Sequence, residues 1–369
     1  MGLLPRDRNL ARPLEQVELP VRASDFQKSP EEVQVRLDAF LKLRLPWRSR
    51  ASVQRLIQDG FVLVAPASPG LEPSGAPPEI ERRASRQLRH GARVVVVIPP
   101  ELRLPDQLAD PGALVVLHED QDVLAVDKPA GQAVHPSGRH LIGTLIQDVH
   151  ARYSQGAELA VPVRLCHRID RETSGIVLLA KGARAHRQIR KQFERGTIEK
   201  EYLALVHGSP AQDEGAIDLP LGPARASQVR MKIAVQADGA EAHTTWRVLE
   251  RHGEFALLAC RLLTGRQHQI RVHLAAIGHP LVGDKLYGAD EELFLRSARR
   301  ELDESDLARL HLARHALHSH RLAWVSPSGG ERREVISPLP PDLREFLERA
   351  GPSSAGGAVN RRSWRASRS

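Results

Sequence analysis

Between about residues 113 and 349, the chain is built mostly from apolar segments of strand length. The clearest helical pattern lies over 182–195 and ends at Gly196. A doubly wound sheet would place a helix after almost every strand. The pattern therefore predicts an α+β domain with a mixed, largely antiparallel sheet. The strand-like segments are LVVLHED and VLAVDKP (114–129), IVLLAK (176–181), EKEYLALVHG, AHTTWRVLE and FALLACRLL.

A smaller unit precedes this domain, over residues 31–100. VQVRLDAFLKLRL has helical spacing of its apolar residues, and Ser49 is placed to cap a second helix that ends at Gly60. FVLV and RVVVVI, at 61–64 and 93–98, are typical of strands. The unit is therefore predicted to be a small α+β domain. The other segments are predicted to be a flexible N-terminal arm (1–30), a linker (101–112) and a disordered basic tail (350–369).

The formal net charge of +8 favours a polyanionic partner, because each neutralised phosphate releases a condensed counterion. No apolar run approaches the roughly 20 residues that a membrane span needs, and the charged N-terminus is unlike a signal peptide. The two cysteines, Cys166 and Cys260, are far apart in sequence, which disfavours a disulfide framework or a zinc ribbon. The composition thus predicts a soluble, cytoplasmic protein, with a monomer as the default state.

The segment LCHRIDRETSGIVLLAK, residues 165–181, presents an acidic residue just before a buried strand. Gly175 permits a tight turn there. Arg168 and Arg171 flank Asp170 and would keep it ionised, as a nucleophile or a base requires. An ordinary Asp–Arg ion pair would explain the same residues, so the pattern alone leaves both interpretations open.

A second cluster of charged residues lies in LLTGRQHQIRVHLAAIGHPLVGDKLYG, residues 262–288. Thr264 is predicted to start a helix that runs to about Ile277. Four basic side chains would then occupy its first half, where the helix dipole disfavours positive charge. Positive charge at this unfavourable position predicts an anionic partner for these side chains, either a phosphate or a buried aspartate. The four residues are Arg266, His268, Arg271 and His273.

Three further groups carry weaker signals. Lys128 and His135 lie in AVDKPAGQAVHPSGRH, a strand followed by a Pro/Gly-rich turn, and Tyr202 lies within a strand whose neighbours are Leu and Val. A tyrosine in such a strand is usually part of the core. Four histidines lie close together near the C-terminal end, but no cysteine or acid completes a zinc ligand set, so they are predicted to be structural. They are His311, His315, His318 and His320.

These segments, taken in order, resemble the motifs of the RluA-type pseudouridine synthases. HRIDRETSG is similar to the family's catalytic motif HRLDxxTSG, DKPAGQAVHP to its first motif, EKEYLALV to its tyrosine motif, and TGRQHQIRVHL with GHPLVGDKLYG to its third. The departures are mild: Ile169 stands where leucine is usual, and Gln132 where a hydrophobic residue is common. In the smaller unit, RLDAFL, SRASVQRLIQDG and RQLRHGARV resemble the S4-type RNA-binding domain. The resemblance covers about residues 31 to 325.

The resemblance implies a role for several residues. Asp170 would be the nucleophile that drives cleavage of the N1–C1′ bond of uridine and its re-attachment through C5, and Arg271 would pair with it. Arg168 would fill the space left by the extruded uridine. Tyr202 would pack against the target base and is a candidate base towards the sugar. The residues expected to contact RNA are Arg168, His167, Lys128, His135, Arg266 and His268, with Arg36, Arg50 and Arg55 in the S4-like unit.

The implied reaction is redox-neutral and moves no phosphate, so no cofactor or metal is expected. Accordingly, the sequence has no GxGxxG, no P-loop and no metal-spaced ligand set. Large-subunit ribosomal RNA is the expected substrate by analogy, and transfer RNA remains open. Two alternatives are an RNA-binding protein without chemistry and a hydrolase that uses His167 and Asp170. The intact Asp170, Tyr202 and Arg271 argue against the first, and the lack of a nucleophile elbow argues against the second.

Overall fold

The computed structural model describes residues 9–11, 15–45, 49–67, 76–98, 114–136, 142–155, 158–288 and 290–351. The linker predicted over 101–112 lies outside the described residues, as does the tail from residue 352 onwards. The chain divides into two compact units, Met1–Leu108 with Ser154–Leu159 and Ala109–Tyr153 with Ala160–Ser369.

The smaller unit contains two helices and a four-stranded antiparallel sheet around one core. Its elements are β1 (Gln16–Pro20), β2 (Val35–Arg36), α1 (Leu37–Arg44), α2 (Arg50–Gln58), β3 (Val62–Ala65), β4 (Glu79–Ile80), β5 (Gln87–Leu88) and β6 (Arg93–Val97). The sheet order is β1-β6-β3-β4, and β2 pairs separately with β5. As predicted, Ser49 caps the second helix: its Oγ accepts a hydrogen bond from the Ser52 N–H at 3.2 Å.

The prediction of a flexible arm over residues 1–30 is wrong at β1. This strand runs antiparallel to β6, with Leu19 opposite Val94, and Leu19 is fully buried. The sequence QVELP buries few of its side chains, because β1 is an edge strand of the sheet. The apolar signal was therefore too weak to indicate a strand, and backbone pairing with β6 decided the outcome.

The larger unit is built on a ten-stranded sheet. The short strands β9 (Ser154–Gln155) and β10 (Glu158–Leu159) lie within this part of the sequence but belong to the smaller unit. The elements of the larger unit are β7 (Val115–Glu119), β8 (Val123–Lys128), α3 (Leu145–Arg152), β11 (Val163–Leu165), β12 (Ser174–Lys181), α4 (Gly182–Glu194), β13 (Glu199–His207), β14 (Glu214–Asp218), β15 (Leu221–Pro223), β16 (Ile233–Val235), β17 (His243–His252), β18 (Phe255–Leu262), α5 (Gln269–Ala276), α6 (Glu292–Arg299), α7 (Glu304–Leu310), β19 (Leu317–Val325), β20 (Arg332–Ile336) and α8 (Pro341–Ala350).

The sheet is mixed and largely antiparallel, as the sequence predicts. Its strand order is β14-β17-β18-β13-β19-β12-β8-β7, with β11 beside β12 and β20 beside β19. The parallel pairing within it joins β12 to β19, with Ser174 opposite His318. Among the described helices, none is both long enough and apolar enough to cross a membrane.

Strand β12 lies between β19 and β8 in this sheet, and Gly175 allows it to approach β19. The backbone of Gly175 has φ +104°, a conformation that side-chain-bearing residues rarely adopt. A Cβ atom at this position would lie 2.3 Å from the carbonyl oxygen of Ser319. Because β12 follows directly on the loop that contains Asp170, this close approach sets where that loop ends.

We expect Gly175→Ala to lower the free energy of unfolding by about 3 kcal/mol or more, because the clash is with backbone that cannot rotate away. Denaturant unfolding of the purified protein measures this change. The control is Gly253→Ala, at φ +56° with no atom within 4 Å of the added Cβ, where about 1–2 kcal/mol is expected. Equal losses in the two variants would contradict the role given to the β12–β19 approach.

Candidate active site

Asp170 lies in the loop between β11 and β12, and hydrogen bonds hold that loop in place. The backbone N–H of Thr173 donates to the Asp170 carbonyl at 3.1 Å and closes a turn. The Thr173 hydroxyl hydrogen-bonds the His315 ring at 2.8 Å, and the Ser174 hydroxyl hydrogen-bonds the His318 ring at 2.9 Å. The hydroxyl side chains that follow the acid therefore fasten the loop to β19 and the segment leading into it.

The carboxylate of Asp170 is bound by a guanidinium. Arg271, in the first turn of α5, donates from Nη1 to Asp170 Oδ2 at 2.8 Å. The same guanidinium binds Asp284 with two bonds, from Nε at 2.7 Å and from Nη2 at 2.9 Å. For Arg271, the anionic partner predicted from the sequence is thus a pair of aspartates. Two carboxylates share one cation, and planar two-bond pairing with Asp284 leaves Arg271 a single orientation towards Asp170.

Asp284 is the buried anchor of this arrangement. Its side chain is 0% exposed, and its Oδ1 also accepts the backbone N–H groups of Leu286 and Tyr287, each at 3.0 Å. Burial alone would raise the pKa of Asp284, but the Arg271 charge and these donors hold it far below its usual range. Asp284 therefore stays ionised and keeps Arg271 fixed.

Asp170 differs from Asp284 because its side chain remains 28% exposed. Burial alone would raise the pKa of Asp170, but the Arg271 guanidinium outweighs that effect and holds the pKa below its usual range. At neutral pH the carboxylate is therefore charged, oriented and accessible, which is what a nucleophile requires.

The helix that carries Arg271 begins later than predicted. The sequence predicted a start at Thr264, but α5 starts at Gln269. The Gln269 side chain explains the difference: its Oε1 accepts hydrogen bonds from the Thr264 hydroxyl at 2.8 Å and the Arg266 N–H at 2.9 Å. These bonds hold residues 264–268 in a loop, and His268 closes it in a left-handed conformation, at φ 56°.

His268 is brought directly against the carboxylate. Its Nε2 lies 3.8 Å from Asp170 Oδ1, and its Nδ1 hydrogen-bonds the Tyr287 hydroxyl at 2.7 Å. That hydroxyl also accepts the N–H of Ile233, at 2.9 Å. Burial lowers the pKa of His268, so its ring is neutral at neutral pH.

Asp170 lies in the wall of a cleft that is open to solvent. Tyr202, from β13, contributes an aromatic wall, and burial raises its pKa to about 12. At neutral pH Tyr202 is therefore a neutral phenol, which favours packing against a base over accepting a proton. Of the residues predicted to act at the site, the cleft brings together Arg168, Asp170, Tyr202, Arg266, His268 and Arg271.

A second ion pair, between Lys285 and Glu172, also holds the Asp170 loop in place. The Lys285 ammonium donates to both carboxylate oxygens of Glu172, at 3.0 and 3.1 Å, and the same carboxylate accepts the His315 N–H at 3.1 Å. Asp284 and Lys285 are adjacent in sequence, so one short segment binds the loop directly through Glu172 and indirectly through Arg271. Glu172, Asp284 and Lys285 were not among the predicted site residues, although all three lie within the quoted motifs.

Two residues predicted to contact RNA, Lys128 and His167, are bound by groups of the folded chain. Lys128 is fully buried, and its ammonium donates to three carbonyls, those of Pro129, Gln132 and Arg171, at 2.8–3.0 Å. The ring of His167 accepts the Leu178 N–H at 3.0 Å and lies 4.9 Å from the Phe193 ring. Burial lowers the pKa of His167 to about 3, so this ring carries no positive charge to attract a phosphate. The Nε2 electron pair of His167, which a base would use, already accepts the Leu178 N–H, and this disfavours the His167–Asp170 hydrolase alternative.

The remaining histidines are placed differently from one another. His135 is exposed and does not line the cleft. His318 and His320 both hydrogen-bond the Ser337 carbonyl, at 3.2 and 2.6 Å, while His311 packs among aromatic rings. Within the part of the chain that the structure describes, no group of three or more His, Cys, Asp or Glu residues is placed to hold a metal ion.

The smaller unit shows three predicted arginines on its surface. Arg36 makes two hydrogen bonds to the buried carboxylate of Asp38, both at 3.0 Å, and Arg50 lies 3.6 Å from the same carboxylate. The Arg50 side chain is 72% exposed, and Arg55 is also exposed, on α2. Arg36 is thus largely neutralised by Asp38, whereas Arg50 and Arg55 face solvent.

Several known proteins are similar to this chain. Residues 122–276, which include the Asp170 loop and α5, match the RNA pseudouridylate synthase family. A Bacillus subtilis (strain 168) protein named uncharacterized RNA pseudouridine synthase YlyB is 36% identical, covering 88% of this chain and 97% of the relative. The ribosomal large subunit pseudouridine synthase D of Nitrosomonas europaea is 34% identical, covering 85% of this chain and 84% of its own.

A solved structure extends the likeness to the fold. The human RNA pseudouridylate synthase domain containing 4 is similar with a TM-score of 0.50 and 25% sequence identity. The match covers 64% of this chain and 92% of the human chain.

We expect Asp284→Asn to lower the free energy of unfolding by about 3–5 kcal/mol at pH 7, because it removes a buried charge from Arg271. Denaturant unfolding measures this loss. Since the folded pKa of Asp284 is lowered, its contribution is complete above the ordinary aspartate range, near pH 4, and disappears as the pH falls through the folded value.

The control for this substitution is Asp213→Asn. Asp213 pairs with Arg251 at 2.8 Å but is 69% exposed, so about 1 kcal/mol or less is expected. A loss at Asp284 no larger than that at Asp213 would show that the buried pair does not anchor the site.

Proposed function

Since this chain belongs to the RNA pseudouridine synthase family and is an isomerase that acts on RNA, we propose that it isomerises uridine in large-subunit ribosomal RNA with Asp170 as the nucleophile. The observation that carries the proposal is the ionised, partly exposed Asp170 carboxylate, held at 2.8 Å by Arg271 in the wall of the cleft. Such a group can attack the nucleotide while the N1–C1′ bond breaks, and it leaves again when C5 bonds to C1′.

The walls of the cleft suit a single extruded base. Tyr202 offers an aromatic face on which a pyrimidine can stack. Arg168 is exposed at the same cleft, and its guanidinium can occupy the space that the uridine leaves in the RNA. Extrusion of a base costs a few kcal/mol, and contacts of this kind offset that cost.

Two observations favour ribosomal RNA as the substrate. One relative that matches over most of both chains is named a ribosomal large subunit pseudouridine synthase. The net charge of +8 and the exposed arginines of the smaller unit suit a large, folded polyanion. We propose that the smaller unit is an S4-type module that holds the RNA while the cleft acts on it.

We expect Asp170→Asn to abolish pseudouridine formation and to leave RNA binding intact, because the amide keeps the shape of the carboxylate but is not a nucleophile. Carbodiimide labelling followed by primer extension, on ribosomal and transfer RNA from cells with each form, maps the modified site. Asp213→Asn, far from the Asp170 loop in sequence and exposed, is the matched control and should leave the site modified.

The same experiment decides the substrate. Loss of one site in large-subunit ribosomal RNA supports the whole proposal, whereas loss of a site in transfer RNA contradicts the choice of substrate. An unchanged map in both RNA classes would contradict the proposed role of Asp170.

We expect Arg50→Gln and Arg55→Gln each to weaken binding of the substrate RNA and to reduce the salt dependence of log Kd by about one unit, because each removes a phosphate contact. Filter binding or fluorescence anisotropy at several salt concentrations measures the slope. The control is Arg333→Gln on β20, which removes one partly exposed arginine that lies outside the smaller unit. Slopes unchanged by both substitutions in the smaller unit would contradict its RNA-binding role.

A further inference from the structure

The proposed isomerisation needs a base in addition to the nucleophile, and the identity of that base therefore rests on the proposed function. When C1′ becomes attached to C5, the C5 carbon still holds its original hydrogen and the ring is no longer aromatic. A group in the cleft must remove that proton before pseudouridine is complete. The need is the same whichever atom Asp170 attacks.

The side chains around the cleft leave few candidates for this base. Among the described residues that line it, the ionisable ones are Arg168, Asp170, Tyr202, Arg266, His268 and Arg271. Arginines remain protonated in proteins. Burial raises the pKa of Tyr202 to about 12, so its phenol already holds a proton. Asp170 acts as the nucleophile and is a weak base, because Arg271 binds its carboxylate.

We propose that His268 is the base that removes the C5 proton. The Nε2 atom of His268 lies 3.8 Å from Asp170 Oδ1. A uracil ring that moves away from the Asp170 carboxylate therefore stays within reach of Nε2. The Nδ1 atom of His268 is fixed at 2.7 Å from the Tyr287 hydroxyl. We assign the ring proton to Nδ1, which donates it to the Tyr287 hydroxyl, so that Nε2 keeps the free electron pair that the step needs.

The backbone supports a dedicated role for this side chain. His268 has φ 56°, a left-handed conformation that is uncommon for residues other than glycine and that clusters at functional sites. The Gln269 bonds to Thr264 and Arg266 close the loop around it, and the Tyr287 hydroxyl that binds the ring is itself tied to the Ile233 N–H. The ring is therefore held rigidly although it belongs to a loop.

The step balances in protons and electrons. Nε2 takes the proton from C5, the C–H electron pair becomes the C5=C6 double bond, and the pair of the N1=C6 bond moves to N1, which gains a proton. The imidazolium then returns its proton to N1 or to solvent, so the net change is isomerisation alone. By then Asp170 has been released from C1′. The charges of Asp170 and Asp284 stabilise the His268 imidazolium, whereas the charge of Arg271 destabilises it.

The test uses RNA that carries tritium or deuterium at C5 of uridine, with enzyme in excess over RNA. The variant is His268→Asn, because asparagine tolerates the left-handed backbone and its amide reaches the position of Nδ1 beside Tyr287, but it has no basic nitrogen. We expect tritium release to slow by about 10²- to 10⁴-fold. We also expect a larger primary isotope effect than in the wild type, since breaking the C5–H bond becomes rate-limiting.

The matched control is His273→Asn, in α5, the helix that directly follows His268. His273 is fully buried and also bonds a hydroxyl, that of Thr244 at 2.9 Å, but it does not line the cleft. Its loss should lower stability without changing the isotope effect. His268→Gln provides a second variant if the asparagine form does not fold.

Each other outcome overturns the assignment. An unchanged rate in the folded variant would show that His268 is not the base. A slower rate with an unchanged isotope effect would make it a positioning residue. Loss of all turnover beyond about 10⁴-fold exceeds what a missing base costs and would point to a different role. If the wild type itself releases no tritium from C5, the proposed function fails, and this is distinguishable from failure of the His268 assignment alone.

Discussion

The guanidinium of Arg271 is the interaction on which the site depends. It lies between two carboxylates, one buried and one partly exposed, and binds Asp284 with two bonds and Asp170 with one. The Asp284 carboxylate alone would balance the charge of Arg271. The second carboxylate, that of Asp170, is bound by the same guanidinium and is still accessible from the cleft. The elements around it serve this geometry: β12 fixes the Asp170 loop, α5 supplies the arginine, and the segment after it supplies Asp284 and Lys285.

Three ionisable groups, Asp170, Tyr202 and His268, have different protonation states at neutral pH, because each has a different environment in the cleft. The Asp170 carboxylate is kept charged by its cation, Tyr202 is kept neutral by burial, and burial also leaves His268 uncharged. Catalytic sites assign roles to acids and bases in this way, by pushing the pKa values of neighbouring groups apart. A charged carboxylate, an aromatic wall and a neutral imidazole then line one cleft.

Much of this arrangement is predictable from the sequence, because its signals are local. The apolar run at β12, the amphipathic pattern of α4 and the cap at Ser49 depend on neighbours within a few residues. The wrong predictions depend on contacts that local patterns do not reveal. The edge strand β1 needed β6, and the start of α5 depended on the Gln269 side chain. The contacts of Lys128 and His167 with carbonyl and amide groups of the backbone were likewise not indicated by the sequence. Both Arg168 and Lys128 are charged residues within a motif, and the sequence predicted the same role for both. Only the folded structure shows that Arg168 is exposed at the cleft whereas Lys128 is buried.

The most direct test of the account is the rate of tritium release from C5-labelled uridine in the substrate RNA, compared between wild type and Asp170→Asn under single-turnover conditions. The account predicts release by the wild type and a loss of at least about 10⁴-fold in the variant, with RNA still bound, because the nucleophile is missing. Release by the variant at a rate near that of the wild type would contradict the central claim that the carboxylate held by Arg271 drives the reaction.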